Sequence, residues 1–359
     1  MFAPGQNTPG HYNIWQGFAV QANPGDCGLY LKHLRDNVAQ GNTEIYQYII
    51  HWMAQTVQFP SHRPGVSIVL RGKQGTGKGV TCVEFGKLFG THFVHVQHSR
   101  HLVGNFNAHL HQAIVVFADE AYGAGDRASE GALKALITEE QLPIEFKGKD
   151  VMYVKNHVRL LMASNHDWVV PAGLEERRFF VVDVGEAHMQ DIPYFAAIAD
   201  QMDHGGREAL LHHLINVDLA GVDLREFPQT AALMENKLLS MSPVEKFWYE
   251  KLWAGSLQED VEWWARYVVR DQLHEEYVKH AQKSGQNRKG TQTELGIALN
   301  KLVPGLHGST ETIGGTRVAT WEFPDLDTCR KAFDKITKYK HPWPQESCAI
   351  KIDLKAPHL

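Results

Sequence analysis

The strongest constraint on this chain is a glycine-rich loop set between an apolar run and a helical run. After Ser67-Ile68-Val69-Leu70 come Gly72-Lys73-Gln74-Gly75-Thr76-Gly77-Lys78-Gly79, then Val80-Thr81-Cys82-Val83-Glu84-Phe85. Glycines at this spacing let the backbone close around an anion with its N–H groups pointing inward. The helix that follows offers the positive end of its dipole to the same anion. Lys78 stands where a loop lysine reaches the β- and γ-phosphates of a nucleotide. The pattern points to phosphate held by Gly72, Gly75, Thr76, Gly77, Lys78, Gly79 and Val80. The alternative is a glycine-rich loop that holds no nucleotide. Gly79 departs from the usual pattern, in which Ser or Thr follows the lysine and ligates Mg²⁺. Thr81, two residues on, is about 200° around a helix and a poor replacement.

Further apolar runs follow at Phe93–Val96, Ala113–Ala118, Val158–Ala163 and Phe179–Val182. Continuous apolar runs suit strands buried on both faces, as in a parallel sheet covered by helices, so the fold class is α/β. Before the sheet, Leu29, Leu31, Leu34 and Val38, then Ile45, Ile49, Met53 and Val57, repeat at helical spacing. Three zones result: residues 1–62, a loop plus a small helical region; 63–240, the sheet domain; and 241–359. In the last zone Glu262–Lys283 reads as an amphipathic helix. Thr291–Val303 reads as a second one, with Thr291 and Glu294 at capping-box spacing. Gly308–Phe323 reads as a hairpin turning at Gly314-Gly315. Helix, helix, hairpin is the order of a winged-helix module.

Two acids close the strongest strand signal, Asp119 and Glu120, about 40 residues after Lys78. Phosphoryl transfer needs an acid to hold Mg²⁺ and a residue to orient or deprotonate the attacking water. Asp119 suits the metal role and Glu120 the water role; the plain alternative is a strand ending at the surface. Asn165, at the tip of the next strand signal, is placed to align the lytic water or is a turn asparagine. Arg177 and Arg178 precede the last strand signal. Each is either an arginine finger supplied to a neighbouring subunit or part of a solvated cluster with Glu175 and Glu176.

The formal charge of −5 argues against non-specific coating of duplex DNA. Nucleic-acid contact then needs a few localised cations. Leu142–Phe146 and Val151–Val154 read as a hairpin with Lys147 and Lys149 at its tip, suited to phosphate contacts that carry no sequence information. Arg288 and Lys289 precede the Thr291 helix and could assist a groove contact. Four cysteines, Cys27, Cys82, Cys329 and Cys348, lie far apart, which excludes a zinc ribbon and a C-x-x-C redox pair. His98, His101, His109 and His111 cluster in sequence without a Cys, Asp or Glu to complete a zinc set. No run reads as a membrane span or a signal peptide.

Taken together, GKQGTGKG (72–79), HLVGNFNAHL (101–110), VVFADEA (115–121), FKGKD (146–150), ASNHDWVVPAG (163–173) and ERRFF (176–180) resemble the superfamily 3 helicase domain of phage and plasmid primase-helicases. The likeness is nearest the primase-polymerase group with a poxvirus-type helicase domain. RKGTQTELG (288–296) resembles that group's terminal module. The resemblance implies an AAA+ P-loop ATPase core, a hexameric ring, ATP with Mg²⁺, and translocation on single-stranded or forked DNA in replication. It implies the cytoplasm of a bacterial or phage-infected cell. It makes Lys78 the phosphate lysine, Asp119 and Glu120 the metal and water acids, Asn165 the sensor, and Arg177 or Arg178 the finger. Lys147 and Lys149 become the pore hairpin. A primase-polymerase domain is expected upstream; with no D-x-D or D-x-E pair before Lys78, this chain reads as a part of a longer protein or a stand-alone helicase. The competing readings are an AAA+ ATPase for packaging or remodelling, and a DNA-binding initiator with a non-motor nucleotide switch.

Overall fold

The computed structural model describes residues 1–98, 101–102, 104, 107–120, 130–167, 170, 172–259, 261–283 and 290–344. Arg288, Lys289, Cys348 and parts of the motifs at 101–110, 115–121 and 163–173 lie outside them. The chain divides into two compact units, Met1–Ala172 with Glu176–Leu239, and Ser240–Leu359 with Gly173–Glu175.

All five apolar runs are strands of one parallel sheet in the first unit: β1 (Ser67–Arg71), β2 (Phe93–Val96), β3 (Val115–Asp119), β6 (Arg159–Ser164) and β7 (Phe179–Asp183). Their order is β2-β3-β6-β1-β7. Registers such as Leu70↔Ala163 and Asp119↔Ala163 bring their C-terminal ends to one edge. The central strands are buried on both faces, which is why the sequence shows no alternation there. Burying side chains such as Val116 and Phe117 contributes about 1.5–3 kcal/mol each. Between β3 and β6 the helix α4 (Glu130–Thr138) leads to an antiparallel hairpin, β4 (Gln141–Ile144) and β5 (Met152–Lys155).

Residues 1–62 share the sheet's core. A short helix α1 (Gly28–Lys32) runs into a π-helical turn, His33–Val38, and then α2 (Thr43–Gln58). Asn42 caps α2 by accepting from the Ile45 N–H. Buried Arg159, at the start of β6, donates to the carbonyls of Phe59, Pro60 and His62 just beyond α2. A cation there favours the negative end of the helix dipole. Trp15 stacks on His92 at 4.6 Å, which pins the extended N-terminal segment. After the glycine loop comes α3 (Lys78–Lys87). After β7 come α5 (Ile192–Gln201), α6 (Arg207–Ile215) and α7 (Ala231–Ser240).

The second unit holds α8 (Pro243–Ala254), β8 (Tyr267–Val269), α9 (Arg270–Lys283), α10 (Gln292–Leu302), the hairpin β9 (His307–Ile313) and β10 (Thr316–Glu322), and α11 (Leu326–Thr337). Its sheet order is β8-β10-β9, all antiparallel. The Thr291 capping box and the hairpin turn are formed as expected. The helix expected over Glu262–Lys283 begins only at Arg270. Tyr267-Val268-Val269 is an aromatic and β-branched triad that pairs with β10, so edge pairing overrides the helical spacing. Among the described residues no helix is long and apolar enough to cross a membrane.

Candidate functional site

The sheet's parallel topology assembles the site. Each strand delivers its last residue to the C-terminal edge, where ligands bind in open α/β sheets. β1 feeds the glycine loop and α3, β3 delivers Asp119 and Glu120, and β6 delivers Ser164 and Asn165. The Gly72 N–H donates to Ser164 O at 3.1 Å, and the Glu120 N–H to Ala163 O at 3.0 Å, which fixes the neighbouring strand tips together. Glu120 sits at φ +52°, an unusual conformation for a glutamate that turns the chain out of β3. Arg71 is tied to Asp183 and to Glu235 (2.6 Å), locking the ends of β1 and β7.

Lys78 is 6% exposed and folds back over the loop. Its ammonium donates to Gly72 O (2.6 Å), Lys73 O (2.7 Å) and Asn165 Oδ1 (2.8 Å). Burial holds it below the usual lysine range, and the nearby carboxylates of Glu120 and Asp119 oppose that shift. Lys78, Asp119, Glu120 and Asn165, chosen from three separate motifs, thus share one electrostatic neighbourhood. His95 Nε2 of β2 lies 3.5 Å from Asp119 Oδ2, a neighbour that the sequence pattern did not mark. Gly72, Gly75 and Gly77 take positive φ (151°, 81° and 93°). At Gly77 a Cβ would lie 2.5 Å from His33, so the conformation and the space both demand glycine.

The donor set fits a nucleotide polyphosphate with a divalent cation. A side chain at Gly79 would meet nothing within 4 Å, so the loop mouth is open there. Thr81 offers no hydroxyl to it, since its Oγ1 donates to Gly77 O at 3.1 Å and also meets His33 Nε2. The carboxylates that remain for a cation are Asp119 and Glu120.

Arg177 and Arg178 are not brought to this edge. They precede β7, and a five-residue strand spans about 15 Å, so they stand at the opposite edge of the sheet. The Glu176 carboxylate is almost fully buried and accepts both of their backbone N–H groups (2.8 and 2.6 Å). The Arg178 guanidinium lies 3.6 Å from the same carboxylate, whereas the Arg177 side chain is exposed with no ion pair among the described residues. Lys147 and Lys149 are exposed at the tip of the β4–β5 hairpin, Lys149 lying over the Phe146 ring at 5.6 Å. Among the described residues no three His, Cys, Asp or Glu side chains gather as metal ligands. His109 Nε2 instead bonds to the backbone carbonyl of His101 at 2.7 Å.

The architecture is that of a parallel-sheet α/β protein in which a glycine-rich loop follows β1 and an acid pair ends β3, one strand further across the sheet beyond β6. Residues 70–178 match a family of unknown function, DUF5906, and that stretch contains every candidate from Gly72 to Arg178. The chain is homologous to the DNA primase-polymerase of Nitratiruptor phage NrS-1, with 30% identity over 159 residues; the match spans 43% of this chain and 22% of the relative, about a fifth of its length. The apo structure of the NrS-1 C-terminal region shares the fold, with a TM-score of 0.64 at 19% identity, covering 90% of this chain and 79% of that one. A second structure of that region, its A form, gives 0.64 with coverage of 85% and 78%.

Proposed function

We propose that the chain is an ATP-driven DNA motor, a superfamily 3 helicase of the AAA+ P-loop class, working as the helicase part of a primase-polymerase type of replication protein. The observation that carries this reading is the contact of Lys78 with Asn165, beside Asp119 and Glu120. Phosphate lysine, polar strand tip and acid pair come from three strands to one edge.

In this reading the loop N–H groups and Lys78 bind the β- and γ-phosphates of ATP. Asn165 orients the attacking water and Glu120 takes its proton as the water oxygen bonds to the γ-phosphorus and the bond from that phosphorus to the β–γ bridging oxygen breaks, releasing ADP and inorganic phosphate. Asp119 would hold Mg²⁺, whose chemistry is to neutralise charge across the β- and γ-phosphates. With glycine at 79 the cation relies on carboxylate and water rather than on a hydroxyl. The edge opposite the Lys78 cluster suits Arg177 to a neighbouring subunit's nucleotide, so hydrolysis depends on assembly into a ring, a hexamer in the family resembled. Arg178, held by Glu176, serves the fold. Lys147 and Lys149 grip a DNA strand, and the second unit acts as a winged-helix-like module. The homology to a phage DNA primase-polymerase supports a place in phage replication.

Strand separation on a forked DNA tests the reading. The motor separates the strands with ATP and Mg²⁺ and not with a non-hydrolysable analogue. Equal separation with both ligands, or none under conditions where ATP is hydrolysed, rejects the helicase assignment.

A further inference from the structure

Three consecutive carbonyls of the glycine loop are each held from outside the loop. Gly75 O accepts from the Gln190 N–H at 2.9 Å. Thr76 O accepts from Asn37 Nδ2 at 2.8 Å. Gly77 O receives the Thr81 N–H (3.0 Å) and the Thr81 hydroxyl (3.1 Å), with His33 Nε2 at 3.3 Å. No peptide bond here is cis. In a trans peptide the C=O and the following N–H point in opposite directions. Tying down the carbonyls of 75, 76 and 77 therefore turns the N–H groups of Thr76, Gly77 and Lys78 to the other side of the loop. Among the described residues those three N–H groups have no acceptor. They form a row of oriented donors, the arrangement that binds anions.

Two of the three external holds come from the N-terminal region. His33 and Asn37 lie four residues apart on the π-helical turn, which sets both on one face. Both are essentially unexposed, His33 at 0% and Asn37 at 1%. His33 Nε2 faces Gly77 O, which can only accept, so the proton sits on Nε2 and Nδ1, 3.3 Å from the Tyr194 hydroxyl, is left to accept from it. Phe195 meets the His33 ring edge-on at 5.8 Å. Burial keeps the ring neutral, in accord with this tautomer. Asn37 is itself fixed, since its backbone carbonyl accepts from the Gly185 N–H at 2.8 Å.

We infer that His33 and Asn37 are positioning residues of the phosphate site, which aim the Gly77 and Lys78 N–H groups at the β- and γ-phosphates without touching the nucleotide. The inference rests on the nucleotide reading above. It makes residues 28–41 a working part of the ATP site, with Tyr194 acting through His33.

The test measures the affinity of the full chain for ATP and for inorganic tripolyphosphate, together with melting temperature. Asn37→Ala and His33→Ala are expected to weaken both ligands about tenfold or more, since hydrogen bonds to a charged group are the strong ones. The loss is equal for the two ligands because the affected donors face phosphate and not base. His33→Gln, which keeps a donor near the Nε2 position, recovers affinity to within about threefold of wild type, and Tyr194→Phe loses about threefold. Should the alanine variants not fold, His33→Gln and Tyr194→Phe carry the test, and unchanged affinity in Tyr194→Phe overturns the inference. If both alanine variants bind within about twofold of wild type while Lys78→Ala loses binding, the inference fails and the nucleotide reading stands. If the wild-type chain binds neither ligand, the nucleotide reading fails and takes this inference with it.

Discussion

The C-terminal edge of the parallel sheet and the tip of the β4–β5 hairpin carry the two halves of the proposed motor, and they are built in opposite ways. At the sheet edge Lys78, the glycine loop and the strand tips are held by hydrogen bonds. Lys78 makes three hydrogen bonds, Gly72 and Glu120 donate to β6, and the loop carbonyls are bonded from outside. At the hairpin tip Lys147 and Lys149 are exposed, with no ion pair among the described residues. A held cluster suits chemistry, where misplacement by an ångström costs rate. A free lysine on a turn suits a phosphate backbone that must be gripped and released, where charge matters and exact position does not. Substitutions at the edge should therefore act on turnover, and substitutions at the tip on salt-dependent DNA affinity.

The largest effect is expected from the acid pair. Glu120→Gln should lower kcat for ATP about a hundredfold or more while nucleotide affinity persists, as measured by phosphate release and by titration. Lys78→Ala should lose comparable activity and lose affinity as well. Next comes the opposite edge of the sheet. Arg177→Ala should depress turnover of the assembled protein about a hundredfold and leave the melting temperature nearly unchanged. Arg178→Ala should instead leave buried Glu176 without its guanidinium and lower the melting temperature. If the two behave alike, the division of labour between them is wrong. Lys147→Ala with Lys149→Ala should reduce single-stranded DNA affinity and flatten its dependence on log salt by up to about 1.4 per engaged subunit, with basal ATPase intact. A smaller effect concerns pH. Burial draws His33 and His157 down to about 4, below the value of a histidine in the unfolded chain. Between about pH 6.5 and 4 the unfolded chain binds the extra protons, so stability is full above that window and falls on acidification through it, by up to about 1.4 kcal/mol per pH unit for each group. Denaturation at a series of pH values checks the sign.

Much of the sheet edge was legible in the sequence because it is made of local patterns. Apolar runs marked all five strands; Asp119 with Glu120 and Asn165 sit at the ends of two of them, and Lys78 closes the glycine loop that follows a third. Parallel strands bring such ends together without further information. The Thr291 capping box and the Gly314-Gly315 turn were legible for the same reason. The supports of the loop were not. His33 and Asn37 lie inside a helical run about 40 residues before Lys78, and Gln190 and Tyr194 lie more than 100 residues after it. Only the packing of the π-helical turn and α5 against the loop brings them there. Likewise β8 was hidden in an amphipathic pattern, because three residues too short for an alternating signal are defined by their pairing with β10. Arg177 and Arg178 are indistinguishable in the sequence and separate only once Glu176 is seen to be buried against one of them.

The central claim is that the Lys78, Asp119, Glu120 and Asn165 edge hydrolyses ATP in service of DNA. Steady-state phosphate release by the wild-type chain and by Glu120→Gln, with and without single-stranded DNA, tests it most directly. The expected result is hydrolysis by the wild type that rises when DNA is added, and loss of both basal and stimulated rates in Glu120→Gln. Hydrolysis that ignores DNA, or a Glu120→Gln variant as active as wild type, would contradict it.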